Sequence, residues 1–239
     1  MLVASETASS ATAHFNRADA YFEEGLLAES ISEYRQALEV NPQYAEARHN
    51  LAFALGRLGR LEEAILGYRE VLVTHPRSVI TRGNLGLTLQ RVGMLDQAIA
   101  EFQTCLEIEP NSSELHFNIG TAFQQKGLLE EAISEYQQAV FLNPNFIKPY
   151  INMGSILFEQ GELDKAVEAS NKALAIEPNS TNALNNLGIA LEQFGKLDEA
   201  LVVFITVHFL RRHLRACTCS LTGIGQPSST QCSSQVKPI

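Results

Sequence analysis

Five prolines, Pro42, Pro76, Pro110, Pro144 and Pro178, stand 34 residues apart. Six glycines keep the same step, at Gly25, Gly59, Gly93, Gly127, Gly161 and Gly195. So do the triplets Asn84-Leu85-Gly86, Asn118-Ile119-Gly120, Asn152-Met153-Gly154 and Asn186-Leu187-Gly188, and the step runs back through Asn50-Leu51-Ala52 to Asn16-Arg17-Ala18. Three independent residue patterns that share one period confine the chain to a stacked array, in which each unit buries its apolar face against its neighbours.

From Ala11 the sequence divides into six blocks, 11–44, 45–78, 79–112, 113–146, 147–180 and 181–214. Residues 1–10 are small, polar and aperiodic, and are expected to form a flexible N-terminal arm. Block 113–146 shows the local logic. Ile119 and Phe123 recur at helical spacing between Ser113 and Lys126, and Gly127 stops that helix. Glu130 and Glu131 then open a second helix, where carboxylates favour the positive end of the dipole. Ala132, Ile133, Tyr136, Ala139 and Val140 form its buried face, and Asn143-Pro144-Asn145 ends it. A glycine inside a helix costs roughly 1 kcal/mol against alanine, so Gly86, Gly120, Gly154 and Gly188 at one place imply a steric requirement. They are expected to face Ala98, Ala132, Ala166 and Ala200, with Tyr34, Tyr68, Phe102, Tyr136 and Phe204 filling the space towards the next block.

This order of leucine-glycine, then glycine, alanine, aromatic, alanine and proline resembles the tetratricopeptide repeat, over residues 11 to about 207. The resemblance implies an all-α, right-handed superhelical solenoid of six helix-turn-helix repeats. Two blocks depart from the pattern. The first has Arg17 and Ser30 where leucine and alanine are usual, and block 147–180 has Ser170 in the aromatic place, which should loosen packing there.

The last block keeps the pattern to Leu201 and then degenerates. Val202 to Val207 make its second helix apolar on all sides, and Arg212 holds the proline place. Residues 215–239 are rich in Ser, Thr and Gln, lack any acid, and are expected to be a disordered tail. A solenoid needs a polar outer cap, and this end is the reverse. Three readings follow: a helix that docks on a partner, a truncated longer protein, or an altered reading frame. The abrupt change of composition favours the last two.

Charge narrows the partners. All 27 acidic residues precede position 200, which leaves −13 on the first 199 residues and +4 on the rest. An acidic array without a basic stripe argues against nucleic acid. Cys105 is the one cysteine in the array, with Cys217, Cys219 and Cys232 in the tail, so no disulfide framework is expected and a reducing, cytoplasmic setting is. Met1 to Ala13 lacks the basic start and apolar core of a secretory leader. The longest apolar run, 200–210, is too short to span a bilayer.

The candidate site is the set Asn16, Asn50, Asn84, Asn118, Asn152 and Asn186, one on the first helix of every block. Asparagine is a mediocre helix residue, and its amide matches the donor and acceptor of a peptide unit. The set resembles the asparagine ladder in the repeat region of O-linked N-acetylglucosamine transferases. That resemblance implies peptide-backbone clamping along a concave groove lined by first helices. The alternative is that asparagine here serves packing. Phe22, Phe53, Gln90, Gln124, Gln125 and Phe158 stand beside the ladder and suit an extended segment with some apolar side chains.

The carboxylate clamp that the same fold uses on chaperone C-termini needs lysine and arginine. Its first lysine place holds Phe15, His49, Gly83, Phe117, Ile151 and Asn185, and only Lys148 is basic at the second, beside Asn152. The clamp is not expected. His14 and His116 stand in an aromatic place and read as packing residues. His208, His213, Cys217, Cys219 and Cys232 fit no standard zinc spacing. Glu62-Glu63, Glu130-Glu131 and Asp198-Glu199 are explained by helix N-termini. No catalytic residue, cofactor or metal is expected. The reading is a peptide-binding, protein-interaction scaffold, and the runner-up is the substrate-recruiting portion of a truncated transferase of the O-linked N-acetylglucosamine type.

Overall fold

The computed structural model describes residues 2–221, with side chains from 9 to 212. Twelve α-helices and no strand occur among the described residues. They are α1 (Leu2–Glu23), α2 (Leu27–Val40), α3 (Ala45–Leu58), α4 (Leu61–Thr74), α5 (Val79–Arg91), α6 (Leu95–Ile108), α7 (Ser113–Gln125), α8 (Leu129–Leu142), α9 (Ile147–Glu159), α10 (Leu163–Ile176), α11 (Thr181–Gln193) and α12 (Leu197–Leu221). Each 34-residue block supplies two, as its periodicity predicts. The chain forms two compact units, Met1–Pro149 and Tyr150–Ile239. In the first, each helix from α1 to α7 packs on the next in sequence, and in the second α10 packs on α11 and α11 on α12.

Glycine sets the turn within every block. The six glycines 34 apart have φ between +77° and +90°, a region where a Cβ is strained. The N–H after each reaches back five residues, from Leu26 to the Tyr21 carbonyl, from Leu128 to Phe123, and likewise in the other four blocks. This closure satisfies carbonyls that the end of the first helix leaves open. At the proline corners, Asn41 and Asn143 accept from the N–H groups of Gln43 and Asn145, while Ser78 and Ser112 cap α5 and α7.

Inside three of the hairpins a ring rests on bare helix backbone. A Cβ added at Gly86 would lie 2.5 Å from Phe102, one at Gly120 2.8 Å from Tyr136, and one at Gly188 2.6 Å from Phe204. These glycines therefore face the ring of their own block's second helix. The expected alanines stand close as well at two of the places, where a Cβ at Gly120 would lie 3.2 Å from the Ala132 carbonyl and one at Gly154 3.7 Å from that of Ala166. Block 45–78 exchanges the small residues. Ala52 takes the glycine place, and a Cβ at Gly67 on α4 would meet Ala52 at 2.9 Å. In block 147–180 Gly154 faces the Ser170 hydroxyl at 3.2 Å. Ser170 is 1% exposed and donates to the Ala166 carbonyl at 2.8 Å. The site expected to be loose is thus enclosed.

Helix reaches into the expected arm and into the first residues of the expected tail. Helix α1 already starts at Leu2, because no Pro or Gly precedes Gly25. Helix α12 runs through the place where earlier blocks have proline, since Arg212 stands there, and it reaches Leu221 just before Gly223. The rest of the expected tail, 222–239, lies outside the described residues.

Two glycines of α5 separate helix propensity from ring packing. Gly83 has nothing within 4 Å of its would-be Cβ, so Gly83→Ala should raise stability by about 0.5–1 kcal/mol. Gly86→Ala should lower it by about 1–3 kcal/mol through overpacking against Phe102. Thermal or denaturant melts of both variants check this. Shifts of the same sign would refute the packing role of Gly86.

Candidate functional site

The six asparagines occupy equivalent places on α1, α3, α5, α7, α9 and α11. Asn16 is exposed, and Asn50, Asn84, Asn118, Asn152 and Asn186 are half-buried. Three amides tie one first helix to the preceding one. Asn50 Nδ2 donates to Asp19 Oδ1 at 3.1 Å, Asn84 Nδ2 approaches His49 Nε2 at 3.3 Å, and Asn186 Nδ2 donates to the Ile151 carbonyl at 2.9 Å. Each tie uses one N–H of the side-chain amide. At Asn84 and Asn186 a second N–H and the amide oxygen remain for another partner, whereas Asn50 also meets the Tyr34 phenol. The asparagines thus have a structural use that does not exhaust their hydrogen-bonding capacity.

In the first unit, α3 and α5 also touch each other directly, and two clefts open along their seam. One has a volume of about 490 Å³ and is lined by Glu46, His49 and Asn50 of α3, by Val71 and His75, and by Ile80 and Thr81 of α5. The other, of about 330 Å³, lies towards the far ends of the same helices. It brings together Phe53 and Arg57 of α3, Asn84, Leu87 and Arg91 of α5, and Gln125 of α7. No carboxylate lines this second cleft. The Phe53 ring is backed by Phe22 at 5.5 Å between centroids. Arg91 donates to the Gly56 carbonyl at 2.9 Å, and Arg57 lies 5.9 Å from the Phe22 ring. Both guanidiniums keep further N–H donors.

His49 spans the seam between the clefts. Its Nδ1 lies 3.0 Å from the Thr81 hydroxyl. With the Asn84 amide nitrogen as donor, Nε2 accepts and Nδ1 carries the proton, an arrangement that suits the neutral ring. Burial also holds its pKa below the ordinary 6.5.

Family models described as TPR repeat or tetratricopeptide repeat match residues 18–59 and 154–195, 84–145, and 45–76, together more than half of the chain. The chain belongs to the tetratricopeptide repeat family. Among solved structures it is similar to MamA, with 28% identity and a TM-score of 0.65 over 70% of this chain and 97% of that one. PilF of Pseudomonas aeruginosa matches with 19% identity and a TM-score of 0.71, over 86% of this chain and 93% of that one. YrrB, described as a TPR protein with an unusual peptide-binding site, matches with 22% identity and a TM-score of 0.59, over 79% of this chain and 97% of that one. No curated protein matches the chain in sequence. An α-helical repeat of this family is a scaffold suited to protein interaction.

Three residues at the expected lysine places of a carboxylate clamp pack against aromatic rings. Phe15 lies 5.9 Å from Tyr34, His49 5.4 Å from Tyr68, and Phe117 5.7 Å from Tyr136, ring to ring. His14 and His116 do more than pack. Each holds the carboxylate of a glutamate 19 residues on, Glu33 and Glu135, at 2.7 Å. Arg82 holds Glu101 in the same way at 2.5 Å. The Glu33 carboxyl is held below its usual range, mainly by the His14 hydrogen bond. A basic residue and a glutamate 19 apart in three blocks was the readable signal for this pair. Nothing in the asparagine pattern pointed to Asp19, Arg57, Leu87 or Arg91. Among the described residues no helix is long and apolar enough to cross a membrane. The side chains of His213, Cys217, Cys219 and Cys232 lie outside the described residues.

His49 predicts an acid-side loss of stability. A base with a depressed folded pKa binds fewer protons folded than unfolded, so its contribution is complete above its ordinary pKa and is lost as pH falls below it. The melting temperature of the wild type should drop more than that of His49→Gln between about pH 7.5 and 5. Parallel pH profiles would contradict the neutral, Asn84-bound state of His49.

Proposed function

We propose that this chain is a non-enzymatic scaffold whose first unit binds an extended peptide along the seam of α3 and α5. The asparagine amides that remain available would take the peptide backbone. The observation that carries this reading is the cleft in which Asn84 stands beside an apolar wall of Phe53 and Leu87 and a basic rim of Arg57 and Arg91. That chemistry selects a segment with an apolar side chain and an acidic neighbour. A TPR protein of this fold, YrrB, is described as having a peptide-binding site, so the architecture accommodates such a ligand. The clamp for a chaperone C-terminus is set aside, because none of its first lysine places holds a lysine and only Lys148 is basic at the second.

Magnitudes fit a weak, repetitive binder. A net hydrogen bond contributes about 0.5–1.5 kcal/mol, and micromolar affinity requires about −8 kcal/mol. A few asparagine contacts fall short of that alone. Burial of one apolar side chain, about 1.5–3 kcal/mol, and charge-assisted contacts to the arginines supply the difference.

The test uses short synthetic peptides that pair glutamate with leucine, and lysine-for-glutamate controls, measured by fluorescence anisotropy. The acidic peptides should bind with micromolar affinity, and the lysine versions at least tenfold more weakly. Asn84→Ala should weaken binding by about threefold to tenfold, a loss of roughly one hydrogen bond, and Arg57→Glu by more. Helicity should be unchanged in both variants. Equal affinity for acidic and basic peptides, or no effect of either variant, would overturn the reading and leave a purely structural spacer.

A further inference from the structure

The last described helix carries an exposed apolar face on the side away from its buried residues. On α12, Ala200, Val207 and Leu210 turn inward and are buried. At about 100° per residue, Ile205 points away from that side, flanked by Asp198, Leu201, Val202, Phe209 and Arg212. Leu201 is 59% exposed, Val202 65%, Ile205 59% and Phe209 50%. Asp198 and Arg212 are exposed as well.

The place of Ile205 decides what can cover this face. In the five preceding blocks it is held by Arg35, Arg69, Gln103, Gln137 and Asn171, all exposed. The place of Leu201 is held by Ile31, Ile65 and Ile99, which are buried, and by Ile133 and Val167, which are half-buried. A further repeat stacked on α12 would therefore cover Leu201 and still leave Ile205 in water. Only at this block has the outermost position become apolar, so its occupant differs from a repeat.

The face is complementary to itself. Turned end for end about Ile205, a second copy sets Arg212 against Asp198, each seven residues from the centre, and Phe209 against Leu201, each four residues from it. A parallel pairing would instead set Asp198 against Asp198 and Arg212 against Arg212. We propose that two copies of this chain associate through antiparallel pairing of their α12 helices about a two-fold axis at Ile205. The apolar stripe supplies the attraction, and the terminal charges fix direction and register.

Sedimentation equilibrium of the full chain tests this. The wild type should dimerise reversibly, and Ile205→Asp should raise the dissociation constant at least tenfold with helicity retained, because position 205 is exposed. Asp198→Arg and Arg212→Asp should each weaken self-association at least tenfold, since each puts like charges together twice. An equimolar mixture of those two variants should regain the wild-type affinity, because all four charges are then matched. A monomeric wild type, or a mixture as weak as its components, would overturn the proposal. A monomer that co-sediments with anionic phosphatidylglycerol vesicles, and loses them on Ile205→Asp, would assign the face to a lipid surface and also overturn it.

Discussion

The hairpins depend on close approach of their two helices, and in three of them an aromatic ring lies against helix backbone that has no side chain. Phe102 and Tyr136 are fully buried in this position, above Gly86 and Gly120. The helix-interior glycine costs roughly 1 kcal/mol, whereas full burial of a large apolar side chain contributes about 1.5–3 kcal/mol. Burial wins, so the glycine is retained. Block 45–78 shows that the constraint is on closeness of approach and not on one residue. There Ala52 supplies a Cβ on the first helix and Gly67 removes one from the second.

The same rings join the core to the candidate groove. Tyr34 donates its phenol to Asp19, which also accepts from the ladder residue Asn50. Tyr136 donates to Gln124 at 2.7 Å, beside the ladder on α7. Burial first, and then the Asp19 carboxylate, push the Tyr34 phenol well above its ordinary value, so it remains a donor. A side chain that locks a hairpin from inside thereby orients polar groups on the face that first helices present. On the reading proposed above, the asparagines would then be structural and still available. The tie to the previous helix fixes the amide plane, and a fixed amide loses less entropy on meeting a peptide than a mobile one.

The helix pairs, their turns and their corners were legible from the sequence because they rest on local rules. Glycine at positive φ, proline at a corner and carboxylates at helix starts act within a few residues, and the period repeated each signal. The partner of Gly86 was not legible, since choosing between Ala98 and Phe102 needs the depth at which two helices interlock. The expected arm and tail were drawn from composition, and helix α1 covers 2–10 while α12 covers 215–221. For the site, the asparagine places were readable from their spacing. The tie from Asn84 to His49 crosses 35 residues, and the cleft of Arg57, Leu87 and Arg91 exists only once α3 and α5 are side by side.

The cross-helix pair beneath the outer surface shows how a repeat tolerates divergence at its last block. His14 and Glu33, Arg82 and Glu101, and His116 and Glu135 bridge the two helices of their blocks. In block 45–78 the glutamate has become Gly67, and Arg48 turns to Glu70 at 3.0 Å and to the Pro42 carbonyl instead. In the last block the two places hold Leu184 and Val203, which pack with Val207, Leu210 and Leu174. A partly exposed ion pair contributes at most about 1 kcal/mol, so its exchange for apolar contact is close to neutral. The polar version adds directionality, because a basic residue on the first helix must find its acid on the second. The apolar version makes no such demand. Helix α12 therefore sits in its hairpin by shape alone, which leaves its outer residues free to take on an apolar pattern that no other block carries.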